Sequence, residues 1–389
     1  MNTIAKDVVI AGGGPAGLYL AGRLLQHGFT CRVLEAREEI VTHSRSLGIH
    51  PVSMELFKKA GIEKEFLRCG IAIRRGHAFW NREKLGIVSF EECPSPFNYI
   101  LALPQWKTET VLEEWVNHLD QQALIRGAVL TDAVDDGNGV HVSYQRDGNS
   151  GEIRCRYLIG CDGKRSRVRE LLNIPFHGAP YPDSYIMGDF TDNTGFGEDA
   201  AVYLHSEGLV ESFPLPDGMR RWVVKTPERI ETPQKEQLAE LVERRTGFLL
   251  HNLEHVMLSS FGVEHYQAAT LHKGNILIAG DAAHIVSPIG GQGMNLGWLD
   301  GEECFRSIKK ALKNPKKQSR LFQRYSSSRR RKADLVARRA AMNMWLGRSE
   351  NSGLMVKVLL MIVLKTRLSL FLARLFTMRG VEKKGYTLF

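Results

Sequence analysis

The chain has 389 residues, of which 43% are hydrophobic and 24% are charged, a globular composition with enough length for two intergrown domains. The composition excludes a long disordered chain, and no basic segment followed by an apolar stretch opens the sequence, so we predict no secretory signal. The net charge of +9 is uneven, because 22 of the 52 Lys and Arg residues but only 3 of the 43 acidic residues lie in residues 306–389.

The six cysteines show no CxxC spacing, which disfavours a zinc or thioredoxin-like site. Cys31 and Cys161 fall in apolar, strand-like segments, where cysteine acts as a small buried hydrophobe. No His, Cys and Glu cluster has the spacing of metal ligands, so we predict no metal. Unpaired thiols fit a reducing compartment, and we predict a cytoplasmic protein.

The first predicted unit is a strand, a helix and a second strand. Residues 7–11 (DVVIA) form an apolar run typical of a buried parallel strand, and GGGPAG follows at residues 12–17. An apolar helical segment covers residues 16–27, and a second strand covers residues 30–34. The second strand ends at Glu35, which completes the order of a dinucleotide-binding fold.

Each glycine of this loop has a physical reason. Gly12 permits the tight turn, Gly14 lets the backbone approach a pyrophosphate, and Gly17 lets the helix pack on the strand. The helix N-terminus offers free N–H groups to phosphate, while Glu35 can accept hydrogen bonds from a ribose and disfavours NADP. The motif alone does not separate FAD from NAD. The predicted cofactor-binding residues of this unit are Gly12, Gly14, Pro15, Ala16, Gly17, Glu35 and Ala36.

Two later segments repeat the pattern of a buried strand followed by an aspartate. The segment RYLIGC (residues 156–161) is followed by Asp162, and the segment NILIAG (residues 275–280) is followed by Asp281. A carboxylate at a strand end can accept hydrogen bonds from a sugar hydroxyl, although either aspartate alone is equally well explained as a helix N-cap. Because Asp162 and Asp281 each come directly after a predicted buried strand, helix N-capping alone does not explain why both aspartates are present.

The loop after Asp281 has the composition expected beside a flavin ring. Pro288 and the glycines that follow would let the backbone lie flat against a ring system. A helix that begins near Gly293 would direct its positive end toward N1 of a reduced flavin. We therefore predict FAD as the cofactor. The predicted flavin-lining residues are Pro288, Gly291, Gly293, Met294 and Asn295.

Three stretches carry a resemblance to a known family: GGGPAG with Glu35, CDG at residues 161–163, and GDAAHIVSPIGGQGMNLG at residues 280–297. They resemble the signatures of the para-hydroxybenzoate-hydroxylase-like, or class A, FAD-dependent aromatic monooxygenases, over roughly residues 5–330. The resemblance implies an α/β fold, α+β overall. A Rossmann-like FAD-binding domain would be intergrown with a sheet-based substrate domain and followed by C-terminal helices.

The resemblance also implies roles for single residues. Arg45 would contact the flavin pyrophosphate through its guanidinium group, the alternative being an exposed surface arginine. Gln105, which precedes a helix over residues 106–119, would contact the flavin. Asp162 would hold FAD and guide the nicotinamide cofactor, and Asp281 would bind the ribityl chain.

The implied activity is hydroxylation of a phenolic, quinone-like or polyketide-like aromatic substrate. In enzymes of this family, NADPH or NADH reduces FAD, and the reduced flavin captures O2 as a C4a-hydroperoxide that the substrate ring attacks. Since the flavin carries the chemistry, we assign no catalytic residue. His284 lies in the flavin loop, where a structural role is favoured over a catalytic one.

Other functions stay open. An FAD-dependent reductase or desaturase of a lipid-like substrate would use the same nucleotide motifs without inserting oxygen. A flavin-dependent halogenase would share these nucleotide motifs too. The sequence, however, lacks the WxWxIP pattern by which it would resemble such enzymes. A non-enzymatic flavoprotein subunit is the last alternative, and the intact flavin motifs disfavour it.

The predicted division of the chain is discontinuous. The predicted ranges are 1–75, 101–175 and 270–330 for the FAD-binding domain, 76–100 and 176–269 for the substrate-binding domain, and 331–389 for a C-terminal helical region. Asp217-Gly218 is predicted to form a hairpin turn. The sequence shows no charged anchor for a substrate. The aromatic candidates for the substrate wall, each more often a core residue, are Trp80, Phe90, Tyr203, Phe213 and Trp222.

Residues 354–376 form an apolar stretch that Lys357, Lys365, Arg367 and Arg374 interrupt, so it is too charged to span a bilayer. It resembles the C-terminal helices of ubiquinone-pathway hydroxylases and fits an interfacial helix whose basic side chains reach phosphate head groups. The alternative is a helix that closes the substrate domain or forms a dimer contact. We predict a cytoplasmic monomer or homodimer, peripheral at the inner face of the membrane. We predict that it binds a small aromatic or hydrophobic substrate and that it does not bind nucleic acid.

Overall fold

The computed structural model describes residues 5–42, 46–93, 96–250, 252–348, 354–366 and 368–381. The α-helices are α1 (Pro15–Leu25), α2 (Pro51–Ala60), α3 (Glu63–Cys69), α4 (Gln105–Leu119), α5 (Arg167–Leu171), α6 (Lys235–Thr246), α7 (Gln292–Lys313), α8 (Gln318–Leu346), α9 (Leu354–Lys365) and α10 (Leu368–Phe376). The strands are β1 (Lys6–Ala11), β2 (Cys31–Glu35), β3 (Gly48–Ile49), β4 (Ile71–Ile73), β5 (Arg75–Trp80), β6 (Glu83–Ser89), β7 (Ile100–Ala102), β8 (Leu124–Arg126), β9 (Val129–Asp135), β10 (Val140–Arg146), β11 (Asn149–Gly160), β12 (Phe176–Thr191), β13 (Ala200–Leu204), β14 (Val210–Leu215), β15 (Met219–Thr226), β16 (His255–Ala268), β17 (His272–Lys273), β18 (Ile276–Ile278) and β19 (His284–Ile285). They form two large sheets and a small one of order β3-β7-β4.

The first sheet contains the predicted strand–helix–strand unit. Its order is β17-β18-β11-β1-β2-β8, with β10 attached to β11 and β9 attached to β10. Strand β1 pairs in parallel with both β2 and β11, and β11 pairs in parallel with β18. Val8, Val9 and Ile10 are fully buried, because a central parallel strand is covered on both faces. The predicted α/β fold is confirmed.

Helices α1 and α7 pack closely through small residues. A Cβ on Gly297 would lie 3.3 Å from the Cβ of Ala16, and a Cβ on Gly301 would lie 3.5 Å from the Ala16 carbonyl oxygen. The Trp298 indole N–H donates to the Pro15 carbonyl oxygen at 3.0 Å. This last bond joins residues that are 283 positions apart in the chain.

The second sheet has the order β19-β16-β12-β15-β14-β13-β5-β6 and is mainly antiparallel. Side chains alternate between its two faces. On the outer face, Trp222 packs with Leu238 of α6. On the inner face, Val223 belongs to a cluster with Ile289, from the loop before α7, and Met344 of α8. The inner face therefore lies toward the loops that follow the strands of the first sheet.

The predicted hairpin turn joins β14 to β15. Asp217 has a φ of +64° and Gly218 a φ of +69°. Two successive positive φ values are typical of a type I′ turn, whose twist matches that of the flanking antiparallel strands. This prediction is confirmed.

The C-terminal region differs from the predicted division in two ways. Helix α8 runs without a break from Gln318 to Leu346, so a domain boundary between residues 330 and 331 would fall inside a helix. The apolar stretch forms two helices, α9 and α10, instead of one. The Thr366 hydroxyl accepts the Leu368 N–H at 3.4 Å, and the Thr366 carbonyl accepts the Ser369 N–H at 3.1 Å. Thr366 thus starts a new helix.

One face of α9 and α10 packs on the second sheet. Leu364 and Phe376 belong to a cluster with Val88 of β6, and the Lys357 ammonium lies 2.5 Å from the Glu83 carboxylate. This face covers the edge of the second sheet. Such packing agrees with the alternative interpretation of the apolar stretch, in which it closes the substrate domain. The other face exposes the apolar side chains of Val358, Leu359, Ile362, Leu368 and Phe371. Among the described helices, none is long and apolar enough to cross a membrane.

Candidate active site

The three sequence motifs meet at one edge of the first sheet, where its parallel strands end. The Cys161 N–H donates to the Ala11 carbonyl oxygen at 2.7 Å, and the Ala279 N–H donates to the Gly160 carbonyl oxygen at 2.9 Å. These bonds hold the segments that follow β1, β11 and β18 side by side, with β2 next to β1. Ligands of open α/β sheets bind outside the carboxyl ends of the strands. This edge is therefore the candidate site.

The glycine loop after β1 has little room except at one position. Gly12 has a φ of +102°, and a Cβ there would lie 2.3 Å from the Cys161 carbonyl oxygen. A Cβ on Gly17 would lie 2.0 Å from the Gly12 carbonyl oxygen, whereas a Cβ on Gly14 would meet nothing within 4 Å. Helix α1 starts beside Gly14 with no side-chain cap and no acidic residue in its first turn. Its first N–H groups are therefore available to an anion.

Glu35 is held by protein donors at the end of β2. Its Oε2 accepts the Gly13 N–H at 2.5 Å, and its Oε1 accepts the Arg37 backbone N–H at 2.9 Å and the Arg37 Nε–H at 2.7 Å. Burial alone would raise the pKa of Glu35, but its bonds with Arg37 and Gly13 and the Arg37 charge lower it below the ordinary value. Glu35 is thus an ionised acceptor with lone pairs left for a ribose, and Ala36 beside it is exposed. Ribose binding stays a prediction.

Arg37 was not singled out by the sequence patterns. Its guanidinium pairs with Glu35 and lies 3.2 Å from the Glu109 carboxylate of α4. The Gln105 amide donates to the same carboxylate at 2.8 Å. Burial raises the pKa of Glu109, and the contacts with Gln105 and Arg37 offset this only in part. The network orients Gln105 at the start of α4, and no short spacing in the sequence links Arg37 to Glu109.

Asp162 fixes the turn that follows β11. Its Oδ1 accepts the Ser166 hydroxyl at 2.6 Å, and its Oδ2 accepts the Val168 N–H at 3.0 Å. Burial raises the pKa of Asp162 more than these bonds lower it. The N-cap of α5 is Ser166, whose hydroxyl accepts the Arg169 N–H, so Asp162 supports the start of this helix without being its N-cap. Contacts of Asp162 with FAD and the nicotinamide cofactor stay predictions.

Asp281 lies in a 3-10 turn, Gly280–Ala282, a short distance beyond β18. Its side chain is exposed, yet the surrounding protein desolvates the carboxylate and so raises its pKa; the charge of His284 opposes the shift. This position fits a carboxylate that accepts bonds from the hydroxyls of a bound chain.

A second free helix N-terminus faces the candidate site. Gly290 and Gly291 have φ values of +90° and +65°, and Gly291 starts α7 with no side-chain cap and no acidic residue in the first turn. The positive end of α7 is therefore open to negative charge. Of the predicted lining residues, Pro288 is exposed, and Gly291, Gly293 and Met294 are partly exposed.

The Asn295 side chain acts as a positioning group. Its Oδ1 accepts the His50 N–H at 2.8 Å and the Ser53 hydroxyl at 2.7 Å. Its Nδ2 donates to the carbonyl oxygens of Gly48 and Gly291, both at 2.8 Å. Because these four bonds use the whole amide and the side chain is 0% exposed, a flavin contact at Asn295 would come from the backbone.

Gln292, by contrast, has an amide without partners. The side chain is 1% exposed, and among the described residues neither its Oε1 nor its Nε2 finds a hydrogen-bond partner. Buried polar groups are normally paired. The first turn of α7 therefore fits a ligand with a polar edge.

A buried ion network supports the segment after β18. The Asp300 carboxylate of α7 accepts the His284 Nε2–H at 2.5 Å and the Gly280 N–H at 3.0 Å, and pairs with Arg329 of α8. Burial would raise the pKa of Asp300, but the charges of His284 and Arg329 lower it below the ordinary value. His284 is 2% exposed and bound in this network, a position that suits the structural role predicted for it.

The five aromatic wall candidates are divided between different surfaces. Tyr203 and Trp222 pack on the outer face against α6, and Phe90 packs in the cluster with α10, so these three do not face the candidate site. Phe213 belongs to the inner-face cluster, and Trp80 has an inner-face register position. Alternation in the sequence distinguishes two faces of a strand but does not say which one faces a ligand.

The pyrophosphate contact predicted for Arg45 falls outside the described residues. The next described residue is Ser46, whose carbonyl oxygen accepts the Gln105 N–H at the start of α4 at 3.0 Å. Within the ranges that the structure covers, no group of three or more His, Cys, Asp or Glu side chains is placed to hold a metal ion.

Comparisons with known proteins identify the family to which the chain is related. A family model described as FAD binding domain matches residues 5–340. The chain is 34% identical to a rifampicin monooxygenase of Streptomyces venezuelae, over 76% of this chain and 62% of that protein. It is 31% identical to pentachlorophenol 4-monooxygenase of Sphingobium chlorophenolicum, over 75% and 56%. It therefore spans less than two thirds of these curated relatives. The fold is similar to that of OxyS, an anhydrotetracycline hydroxylase from Streptomyces rimosus, with a TM-score of 0.78. The superposed parts cover 96% of this chain and 76% of the OxyS chain, and their sequences are 29% identical.

Proposed function

Because the chain belongs to the FAD-binding family that it matches over residues 5–340, we propose that it is an FAD-dependent monooxygenase that uses NADPH or NADH and O2 to hydroxylate an aromatic substrate. The observation that carries this proposal is the pair of free helix N-termini at one site. Helix α7 bonds to the start of α1 through Trp298 and begins at Gly291, about 10 Å farther along its axis. Two positive ends on neighbouring helices fit a pyrophosphate and a flavin ring.

The bound flavin would supply hydride acceptance and the activation of O2. The residues of the chain then bind and orient. Gly14 and the N-terminus of α1 hold the pyrophosphate, Glu35 the ribose and Asp281 the ribityl hydroxyls. The N-terminus of α7 stabilises negative charge on the ring, and the Gln292 amide gains the partner that it lacks.

The substrate is proposed to lie between the inner face of the second sheet and the start of α7. Met187, Val223 and Phe213 make this face apolar, which suits an aromatic ring. The relatives are named for rifampicin, pentachlorophenol and anhydrotetracycline. For this chain we propose a phenolic, quinone-like or polyketide-like aromatic. In this proposal the first sheet belongs to the FAD-binding domain and the second sheet to the substrate-binding domain.

The test uses the FAD-loaded protein with NADPH or NADH and a panel of phenol, 1-naphthol and hydroxynaphthoquinones. We expect the substrate to accelerate oxidation of the nicotinamide and to gain one oxygen atom from isotope-labelled O2. Conversion of all consumed O2 to hydrogen peroxide, with no hydroxylated product across the panel, would contradict the proposal. A reduced product without label would favour the reductase alternative, and a requirement for halide would favour a halogenase.

We also propose a peripheral membrane contact at the exposed face of α9 and α10. Leu359 and Phe371 are 60% and 56% exposed there, and Lys365 and Arg374 on the same helices are exposed cations. Apolar side chains flanked by cations suit insertion among anionic lipid head groups. The resemblance of this tail to ubiquinone-pathway hydroxylases remains an expectation.

Sedimentation with vesicles tests this contact. We expect the chain to bind vesicles that contain phosphatidylserine more tightly than vesicles of phosphatidylcholine alone. Leu359→Gln with Phe371→Gln should weaken binding by at least about tenfold, because each buried apolar side chain contributes about 1.5–3 kcal/mol. Leu249→Gln is the matched control, since Leu249 is 60% exposed on another surface. If the wild-type chain binds neither vesicle, or the double variant binds as well as the wild type, the membrane proposal is wrong.

A further inference from the structure

Glu211 is a carboxylate on the substrate-facing side of the second sheet. In the register of β14, Glu211 lies between Val202 of β13 and Val223 of β15. Both valines belong to the inner-face cluster that contains Ile289 of the loop before α7. The next residue, Ser212, faces the other way, where its hydroxyl accepts from Arg220. Because side chains alternate along the strand, Glu211 faces the loop before α7, beside which we propose that the flavin binds.

The Glu211 carboxylate has no hydrogen bond or ion pair with any residue that the structure describes. The cations on the same face are already used. Lys225 and Arg348 pair with Asp183, and Arg221 makes two bonds to Asp189 at 2.6 and 2.7 Å. Carboxylates enclosed by protein are almost always paired. The Glu211 carboxylate therefore has no partner within the described protein, and a bound ligand can supply one.

The Glu211 side chain is partly exposed and stands beside Val202 and Val223 on the inner face of the sheet. Burial by the surrounding protein raises its pKa from the ordinary range to about 7. The charged groups that face it, from β12, β15 and the end of α8, are the paired ones named above, and burial is the cause of the shift.

Tyr185 supplies a second polar group without a partner. Its side chain is 0% exposed, and its hydroxyl has no hydrogen-bond partner in the described part of the chain. The pKa of Tyr185 is raised by burial first and then by the negative charges of Glu211 and Asp183. The hydroxyl is thus an unpaired donor on the same face of the sheet as Glu211, while the charged groups of this face are paired with one another.

We propose that Glu211 accepts the proton of a phenolic hydroxyl of the substrate, while the Tyr185 hydroxyl donates to the same phenolic oxygen. This inference rests on the proposed hydroxylation and names its substrate class. The phenolic O–H bond breaks, an O–H bond forms on the carboxylate, and the electron pair stays on the phenolic oxygen. The ring becomes more electron-rich, which favours its attack on electrophilic oxygen. An unpaired anion on this wall also disfavours aromatic carboxylates as substrates.

The first test measures binding to the oxidised, FAD-loaded protein through the change in flavin absorbance. The probes are phenol with its methyl ether anisole, 1-naphthol with 1-methoxynaphthalene, and benzoate. We expect each phenol to bind about 10- to 100-fold more tightly than its ether, as a hydrogen bond to a charged group contributes, and benzoate to bind weakly. Glu211→Gln should remove the difference between phenol and ether. Glu207→Gln is the matched control, because Glu207 is 43% exposed and paired with Arg244 at 2.8 Å.

The second test follows hydroxylation against pH. A base must be ionised, so the wild-type rate should fall as the pH drops through about 7. Glu211→Gln should lower kcat about 100-fold and flatten this acid limb, and Glu211→Asp should restore part of the rate. In thermal unfolding, Glu211→Gln should match or exceed the wild-type Tm above pH 7, where the carboxylate with the raised pKa is charged and costs folded-state stability, which separates its effect from misfolding.

The results separate the two proposals. If Glu211→Gln weakens phenol and ether equally, or keeps the acid limb, the role of Glu211 is wrong even when the wild type hydroxylates phenols. If phenols bind through Glu211 but no phenol is hydroxylated, the proposed function fails and the phenol-recognition role stands. If the wild type does not distinguish phenols from their ethers, the inference is overturned.

Discussion

Gly12→Ala is expected to destabilise the fold strongly, whereas Gly14→Ala is expected to leave the fold intact and to remove tightly bound FAD. At Gly12 the φ of +102° is unfavourable for alanine, and the new Cβ would lie 2.3 Å from a backbone oxygen. Strained backbone costs about 1–3 kcal/mol, and overpacking typically costs about 1–3 kcal/mol more. Their sum is a large part of the stability of a typical protein.

At Gly14 the same methyl group meets no protein atom within 4 Å, and the φ of −79° is ordinary. The methyl group would instead lie where we place the pyrophosphate. Loss of one hydrogen bond to a charged phosphate costs about 1.5–3 kcal/mol, which is about 10- to 100-fold in affinity.

Both variants are compared by circular dichroism, thermal unfolding of the apoprotein, and FAD content after gel filtration. Gly14→Ala serves as the control for Gly12→Ala, since both add one methyl group to the same loop. Stoichiometric FAD in Gly14→Ala would refute the cofactor map, and a wild-type Tm in Gly12→Ala would refute the steric account.

Asp300→Asn should destabilise the protein by about 3–5 kcal/mol, because it leaves the buried Arg329 guanidinium without its counter-charge. The same carboxylate anchors His284 and the Gly280 N–H, so the turn that contains Asp281 should loosen and FAD affinity should fall as well. Glu303→Gln is the matched control on the same helix, since Glu303 is 36% exposed and lies 4.0 Å from Arg306. Thermal unfolding and FAD titration measure both effects.

The pH dependence of this effect has a definite sign. The pKa of Asp300 is lowered in the folded protein, so ionised Asp300 stabilises the fold above the ordinary aspartate pKa. That contribution is lost in acid, as the pH falls through the lowered value. The stability difference between the wild type and Asp300→Asn should therefore shrink at low pH. A difference that is independent of pH, or a wild-type Tm at neutral pH, would contradict the role of the network.

The cofactor edge could be predicted from the sequence because its signals are local. Gly12, Asp162 and Asp281 each follow a short apolar run, and parallel strands bring the ends of such runs to one edge. The network of Asp300 with Arg329 gave no comparable signal, since its members become neighbours only through the packing of α7 on α8. Glu211 was missed for another reason: alternation marks two faces but does not identify the substrate-facing one.

The C-terminal region was predicted less well for a similar reason. Residues 354–376 read as one apolar stretch, while the capping bonds of Thr366 divide it into two helices. Helix α8 also continues across the expected boundary at residue 330, because its side chains, such as Arg329 and Met344, contact both halves of the molecule. Long-range contacts decided both outcomes, and a pattern within one segment does not contain them.

The close packing of α1 on α7 has a consequence for how the protein is made. The start of α1 is completed by Trp298, 283 residues later in the chain, and the second free helix end belongs to the same late segment. During translation, the N-terminal glycine loop leaves the ribosome long before the helix that covers it. FAD can then be captured only after most of the chain has been synthesised, so cofactor binding reports on completion of the fold and does not guide its first steps.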